Sequence, residues 1–173
     1  MTFQFARSTH DEPSIDIPEI GLRLHVRLPG TASAGELEVI ETINAPGFGP
    51  PLHRHPETEV FRVLTGRYLF EVDGKRFVAE TGDVVSVPGG TAHTFRNITD
   101  QPASQLVMIV PGFDAVAFFT GLGAVMKGGV PDRQVLNDFG KRWGVEFLGP
   151  PLSADAVADA GSDAVSDSVE GAA

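Results

Sequence analysis

Apolar and polar residues alternate through most of the first 110 positions. In GLRLHVRL, Leu22, Leu24, Val26 and Leu28 fall on one face, with Arg23, His25 and Arg27 on the other. That is the period-two pattern of a strand with one buried side. ELEVIETI, residues 36–43, predicts a second strand of less regular alternation. EVFRVLTG and RYLFEV follow, divided at Gly66. RYLFEV-DG-KRFVAE reads as a hairpin, because Asp73-Gly74 supplies the positive φ angles a two-residue turn demands. TGDVVSVPGG gives another turn and a short buried strand; TAHTFRN, the turn ITDQP and ASQLVMIV complete the series. Short strands with such regular turn signals predict an all-β sandwich or barrel, and closing the sheet also removes exposed edges.

After Pro111-Gly112 the period changes. FDAVAFFTGLGAVM places Phe113, Val116 and Ala117, then Phe119 and Leu122, at helical spacing. PDRQVLNDFGKRWGVEF begins with Pro131 and Asp132, which suit a helix start, and sets Val135, Leu136 and Phe139 on one stripe. Two roles are open to these helices: covering the barrel wall or a dimer partner, or closing the barrel mouth as a lid. The chain thus divides into an N-terminal arm (1–14), a β-barrel (15–111), a helical extension (112–150) and an acidic tail (151–173). The tail is rich in Ala, Asp and Ser and predicts disorder.

Composition narrows the classes. A chain of 173 residues fits one domain. Half of the formal charge of −10 comes from Asp155, Asp159, Asp163, Asp167 and Glu170 in the tail. The body is mildly acidic and has no basic cluster, which argues against nucleic acid as a partner. No run of apolar residues is long enough to span a membrane, and the first residues show no signal-peptide core. The absence of cysteine excludes disulfides, thiolate metal sites and cysteine nucleophiles, and fits a cytoplasmic protein.

The chemistry concentrates in GFGPPLHRHPETE. His53 and His55 are two apart, so on an extended segment both imidazoles point to one face. Glu59 has the same parity, but four residues of strand span about 13 Å at roughly 3.3 Å each. Metal donors must lie within about 2.0–2.2 Å of an ion, so the chain has to turn between His55 and Glu59. Pro56, which lacks an N–H, is where the break is easiest. The segment therefore describes a chelating corner, and His93, just after a Pro-Gly-Gly turn, offers a fourth donor. Glu57 competes with Glu59 on parity, but it lies inside the bend and is assigned to support or to solvent. His10 and His25 look ordinary. By parity, Phe61 and Val63 on the Glu59 strand and Phe95 on the His93 strand face inward, with Phe48 at the loop entering the site. Tyr68, Phe70 and Phe77 are further inward candidates. These rings either fill the barrel core or wall a chamber suited to a flat, apolar organic substrate.

Gly47-x5-His53-x-His55-x3-Glu59-x6-Gly66 resembles the first motif of the cupin family at every fixed position, and Gly82-x5-Pro88-x-Gly90-x2-His93-x3-Asn97 resembles the second. The resemblance implies an all-β fold, a single jelly-roll β-barrel with a short C-terminal helical extension, and a homodimer. It also implies that His53, His55, Glu59 and His93 bind one divalent metal ion: Fe, Mn, Ni, Co, Cu or Zn. PPLHRHPETE, the second motif and GVEFLGPPL look most like small quercetinase-like members, which cleave flavonols or similar enolisable compounds with O₂. Glu59 is then both ligand and general base, in a pocket formed by Phe48, Phe61, Val63 and Phe95. A metal-dependent isomerase, cyclase or decarboxylase is the first alternative, and a non-enzymatic metal or ligand sensor the second, because one fold hosts many chemistries.

Overall fold

The computed structural model describes residues 14–156. Residues 1–13 of the expected arm (His10 included) and the tail beyond Ala156 lie outside the described residues. The chain forms β1 (Ile15–Ile17), β2 (Leu22–Leu28), β3 (Glu38–Asn44), β4 (His53–Arg54), β5 (Thr58–Thr65), β6 (Arg67–Val72), β7 (Lys75–Glu80), β8 (Val84–Val87), β9 (His93–Asn97), β10 (Ala103–Val110), α1 (Ala115–Met126), α2 (Arg133–Gly140) and β11 (Glu146–Phe147).

The strands make two facing sheets, one of six strands in the order β1-β2-β3-β10-β5-β8 and one of five in the order β11-β4-β9-β6-β7. Every strand pairing is antiparallel. This is the all-β jelly roll expected, with one qualification. The barrel is closed by packing of two sheets rather than by a continuous ring of hydrogen bonds.

Alternation explains the core. Phe61 and Val63 from β5, Val107 and Ile109 from β10, Ile40 from β3 and Leu24 from β2 are buried on the inner face of the larger sheet. Tyr68 and Phe70 from β6 and Phe95 from β9 face them from the smaller one. Their rings meet edge-on or tilted at 5.4–6.3 Å, the separations aromatic rings prefer. Phe77 does not join this interior: it is 38% exposed and stacks flat on Phe70 from the edge strand β7. The irregular alternation of the third strand has a cause. Its inward positions are Glu38, Ile40, Thr42 and Asn44, so three of four buried side chains are polar.

Local chemistry sets the turns. Asp73 (φ 50°) and Gly74 (φ 75°) form the two-residue turn between β6 and β7. Asn97 ties three segments together: its amide nitrogen donates to the carbonyls of Asn44, Ala45 and Gln101, and its oxygen accepts from Thr99.

Both helices form, with different faces and lengths from those the sequence predicts. α1 starts on the Asp114 side chain, which accepts from the Ala117 N–H. It buries Ala115, Phe118, Leu122 and Met126, a stripe rotated from the predicted one; Val116 is 48% exposed. α2 starts on Asp132, which accepts from the Val135 N–H, and stops at Gly140. A short 3₁₀ turn and the left-handed Gly144 (φ 69°) then convert the expected helical run into β11. The first residues of the expected tail, up to Ala156, pack as well. Leu152 and Ala156 are buried against Leu69.

Candidate metal centre

The two sheets bring four donors to one point. His53 on β4 is directly opposite His93 on β9 in the smaller sheet. Glu59 on β5 projects from the larger sheet. His55 sits in the bend between β4 and β5, where its carbonyl accepts from the Gly90 N–H at 2.7 Å. Gly89 makes that bend possible, because a Cβ there would collide with the Pro56 carbonyl oxygen. The donor atoms of His53, His55, Glu59 and His93 all lie within 4.8 Å of one another, which is chelating reach.

Each imidazole is held from behind. Nδ1 of His53 faces the Pro51 carbonyl at 2.8 Å, Nδ1 of His93 the Thr91 carbonyl at 2.9 Å, and Nδ1 of His55 the Glu57 carboxylate at 3.2 Å. An acceptor behind Nδ1 fixes the proton there and leaves Nε2 with a bare lone pair pointing at the centre. Yet Nε2 of His93 lies 3.0 Å and Nε2 of His55 3.4 Å from Glu59 Oε2. With Nδ1–H satisfied, lone pairs would face a carboxylate with no positive charge between them. A proton or a metal cation resolves this, and three imidazoles with one carboxylate suit a divalent transition ion.

Charge in the cluster follows the same logic. Burial opposes protonation of His55, but the Glu59 and Glu57 carboxylates outweigh it and raise its pKa. Burial would raise the Glu59 carboxyl, but hydrogen bonds from His55 and His93 hold it well below the usual carboxylate range. His53 is pushed down to about 3, by burial first and by neighbouring His93 second. It is therefore neutral at ordinary pH, the state in which imidazole ligates a metal.

The centre opens onto an apolar cavity of about 160 Å³. Phe48, Phe61 and Phe95 line it, as parity predicts. Val63 does not: parity gives the face but not the depth, and Val63 is packed one pleat deeper than Phe61. Much of the opposite wall was not foreseen. Phe118, Leu122 and Met126 of α1, with Val145 and Phe147 around β11, complete it. The helical extension thus walls the chamber. The signal for β11 lay in GVEF, but only pairing of Phe147 with His53 shows its place. Among the described residues, the polar side chains on the wall are Thr42, His53, His55, Glu57 and Glu59; no Lys or Arg lines it. Arg54 pairs with Glu146 at the surface, and Arg96 donates to the Leu152 carbonyl.

Residues 40–109 match the Cupin_2 (cupin domain) family. A quercetin 2,3-dioxygenase of Bacillus subtilis is 36% identical over 66 residues, covering 37% of this chain and 20% of that protein. A probable oxidoreductase, patJ, of Aspergillus clavatus is 44% identical over 64 residues, covering 35% of this chain and again 20% of its relative. The match therefore spans about a fifth of each of these longer proteins. Among solved structures, KdgF from Halomonas sp. superposes with a TM-score of 0.59 at 18% identity, over 66% of this chain and 99% of that one.

Proposed function

We propose, from the match of residues 40–109 to the cupin domain family, that this protein is a metal-dependent dioxygenase acting on a small, apolar enolic or phenolic compound of flavonol-like chemistry. One observation supports this above others: three imidazoles and a carboxylate converge at the end of an aromatic, cation-free cavity. A bound divalent ion there would supply Lewis-acid stabilisation of a substrate oxyanion and positions at which O₂ and substrate meet. His53, His55, Glu59 and His93 would hold it. The family likeness to a bacterial quercetin 2,3-dioxygenase supports the same reaction class.

The chain's own residues supply the rest. Glu59 Oε2 is positioned to take the proton of the enol or phenol, being the only carboxylate oxygen among the described residues that touches both His55 and His93. Its low proton affinity suits a base whose substrate is acidified at the same moment. Phe48, Phe61 and Phe95 would clasp a flat ring, and the apolar wall from α1 and β11 would shield it from water on that side. Without a lysine or arginine on the wall, a dicarboxylate or a sugar phosphate finds no counter-charge beyond the metal. A cavity of about 160 Å³ is below the 300–1,000 Å³ typical of drug-sized ligands and favours a compact substrate. A homodimer in the cytoplasm completes the proposal, in keeping with the exposed Val116, Val130 and Val135 on the helical side.

The test is oxygen uptake with metal-loaded protein and a panel of enolisable phenols. O₂ consumption in step with substrate loss is expected. Turnover that continues undiminished without oxygen would instead place the protein among metal-dependent isomerases, cyclases or decarboxylases. Glu59→Gln should keep part of the metal yet lose on the order of 10²–10⁴-fold in kcat, the usual share of a positioned base.

A further inference from the structure

The cavity has a second polar end. It runs from the four donors past Phe61, Ile40 and Val107 to Thr42, which, among the described residues, is the one polar side chain on its wall apart from the donors and Glu57 behind His55. Thr42 on β3 is directly opposite Gln105 on β10, and Gln105 is in turn opposite Val63 on β5. Val63 is four residues along the strand from Glu59, so this pleat lies about 13 Å from the metal end at roughly 3.3 Å per residue.

Gln105 is fully buried, and neither its amide nitrogen nor its amide oxygen has a hydrogen-bond partner. It shares the inward parity of Val107 and Ile109 but, like Val63, is not on the cavity wall; it stands beside Thr42, behind that end of the cavity. Asn44, one pleat deeper, accepts from Tyr68 Oη at 2.7 Å and from Thr42 Oγ1 at 3.3 Å, while its own Nδ2 is unpartnered. With its hydrogen directed at Asn44, Thr42 presents lone pairs to the cavity. Leaving a buried amide unpaired is costly, a cost an apolar residue at 105 would avoid. A core with unused donors and acceptors beside a ligand cavity is incomplete without a polar visitor.

We propose that Thr42, with Gln105 beside it and Asn44 and Tyr68 behind, forms a polar subsite that hydrogen-bonds a hydroxyl or carbonyl group at the end of the substrate remote from the metal. This rests on the proposed occupancy of the cavity by a small enolic or phenolic substrate, and it refines that class. The ligand has a metal-binding oxygen at one end, an apolar ring in the middle and a neutral hydrogen-bonding group at the other. Thr42 is then a specificity residue, selecting among substrates without touching the reacting oxygen, and Gln105 is a positioning residue beside it.

The test measures binding rather than turnover. Titration calorimetry on zinc-loaded protein compares two enolisable diketones, 1-phenyl-1,3-butanedione and its 4-hydroxyphenyl counterpart. The hydroxylated probe should bind at least about fivefold tighter, as one net hydrogen bond provides. Thr42→Val should erase that preference and leave affinity for the plain phenyl probe within about twofold, and Gln105→Leu, which removes its polar neighbour, should reduce the preference. Thr42→Val is nearly isosteric and serves alone if Gln105→Leu does not fold. Equal affinities in the wild type, or a preference that survives Thr42→Val, would overturn the subsite alone. Failure of both probes to bind would overturn the substrate class together with it. Neither outcome depends on whether oxygen is consumed.

Discussion

At the scale of single residues, the centre is built from pairs rather than from four independent ligands. Each imidazole has an acceptor behind Nδ1, and for His55 that acceptor is a side chain, Glu57. Backbone carbonyls behind His53 and His93 cannot be mutated away, so Glu57 is the informative position. Glu57→Ala should weaken metal affinity about 10–100-fold without removing a donor, as loss of a supporting hydrogen bond to a ligand does. Competition against a chromophoric chelator checks this; unchanged affinity would mean that Glu57 merely faces solvent. These pairings were partly legible in the sequence. Two histidines of equal parity, a proline and a glutamate define a corner because the metal–donor distance leaves few alternatives. The parity that placed Phe61 and Phe95 on the cavity failed for Val63, since alternation reports a face and says nothing of how deep the open space runs.

Among the elements, β3 and α1 are joined by a contact no periodicity reveals. Glu38 is buried on β3, and both its carboxylate oxygens accept from the Ala115 N–H at the start of α1, at 3.3 Å. Burial holds this carboxyl above its ordinary 4.5, against the backbone donor of Ala115, which pulls the other way. A raised value means that the folded chain holds the proton more tightly than the unfolded one. Its contribution to stability is full below the ordinary value and is lost as pH rises through the raised one. Wild-type protein should therefore lose stability over that window relative to Glu38→Gln, whose amide does not titrate. Urea midpoints across about pH 4 to 8 measure the difference; parallel profiles would remove Glu38 as the cause. The helix start at Asp132 was readable from capping chemistry, while the cap at Asp114 emerged only in the structure. The stripe α1 buries was not, because that helix has no charged residue to mark an outer side.

For the molecule as a whole, the donors bridge the two sheets: His53 and His93 come from one, Glu59 from the other. An ion bound there would act as a cross-link of the folded state, with no counterpart in the unfolded chain. Saturation at about 100 times Kd stabilises by roughly 2.7 kcal/mol, which in a chain of this size corresponds to a Tm higher by about 5–10 °C. Stripping the metal with a chelator should lower Tm by that amount in one cooperative transition, followed by calorimetry. The jelly roll and its four donors were legible because they rest on alternation and on local spacing. The place of residues 113–147 was left open between wall, dimer partner and lid, since it depends on a register between segments some 90 positions apart, Arg54 against Glu146. That last pairing has a practical corollary. β11 is the outer neighbour of β4, so a protease cutting between Met126 and Glu146 would spare every histidine yet loosen the seat of His53. Trimming the gene to the stretch spanned by its two recognisable motifs would do the same damage, and the resulting fragment would look complete on paper while no longer holding the four donors in place for an ion.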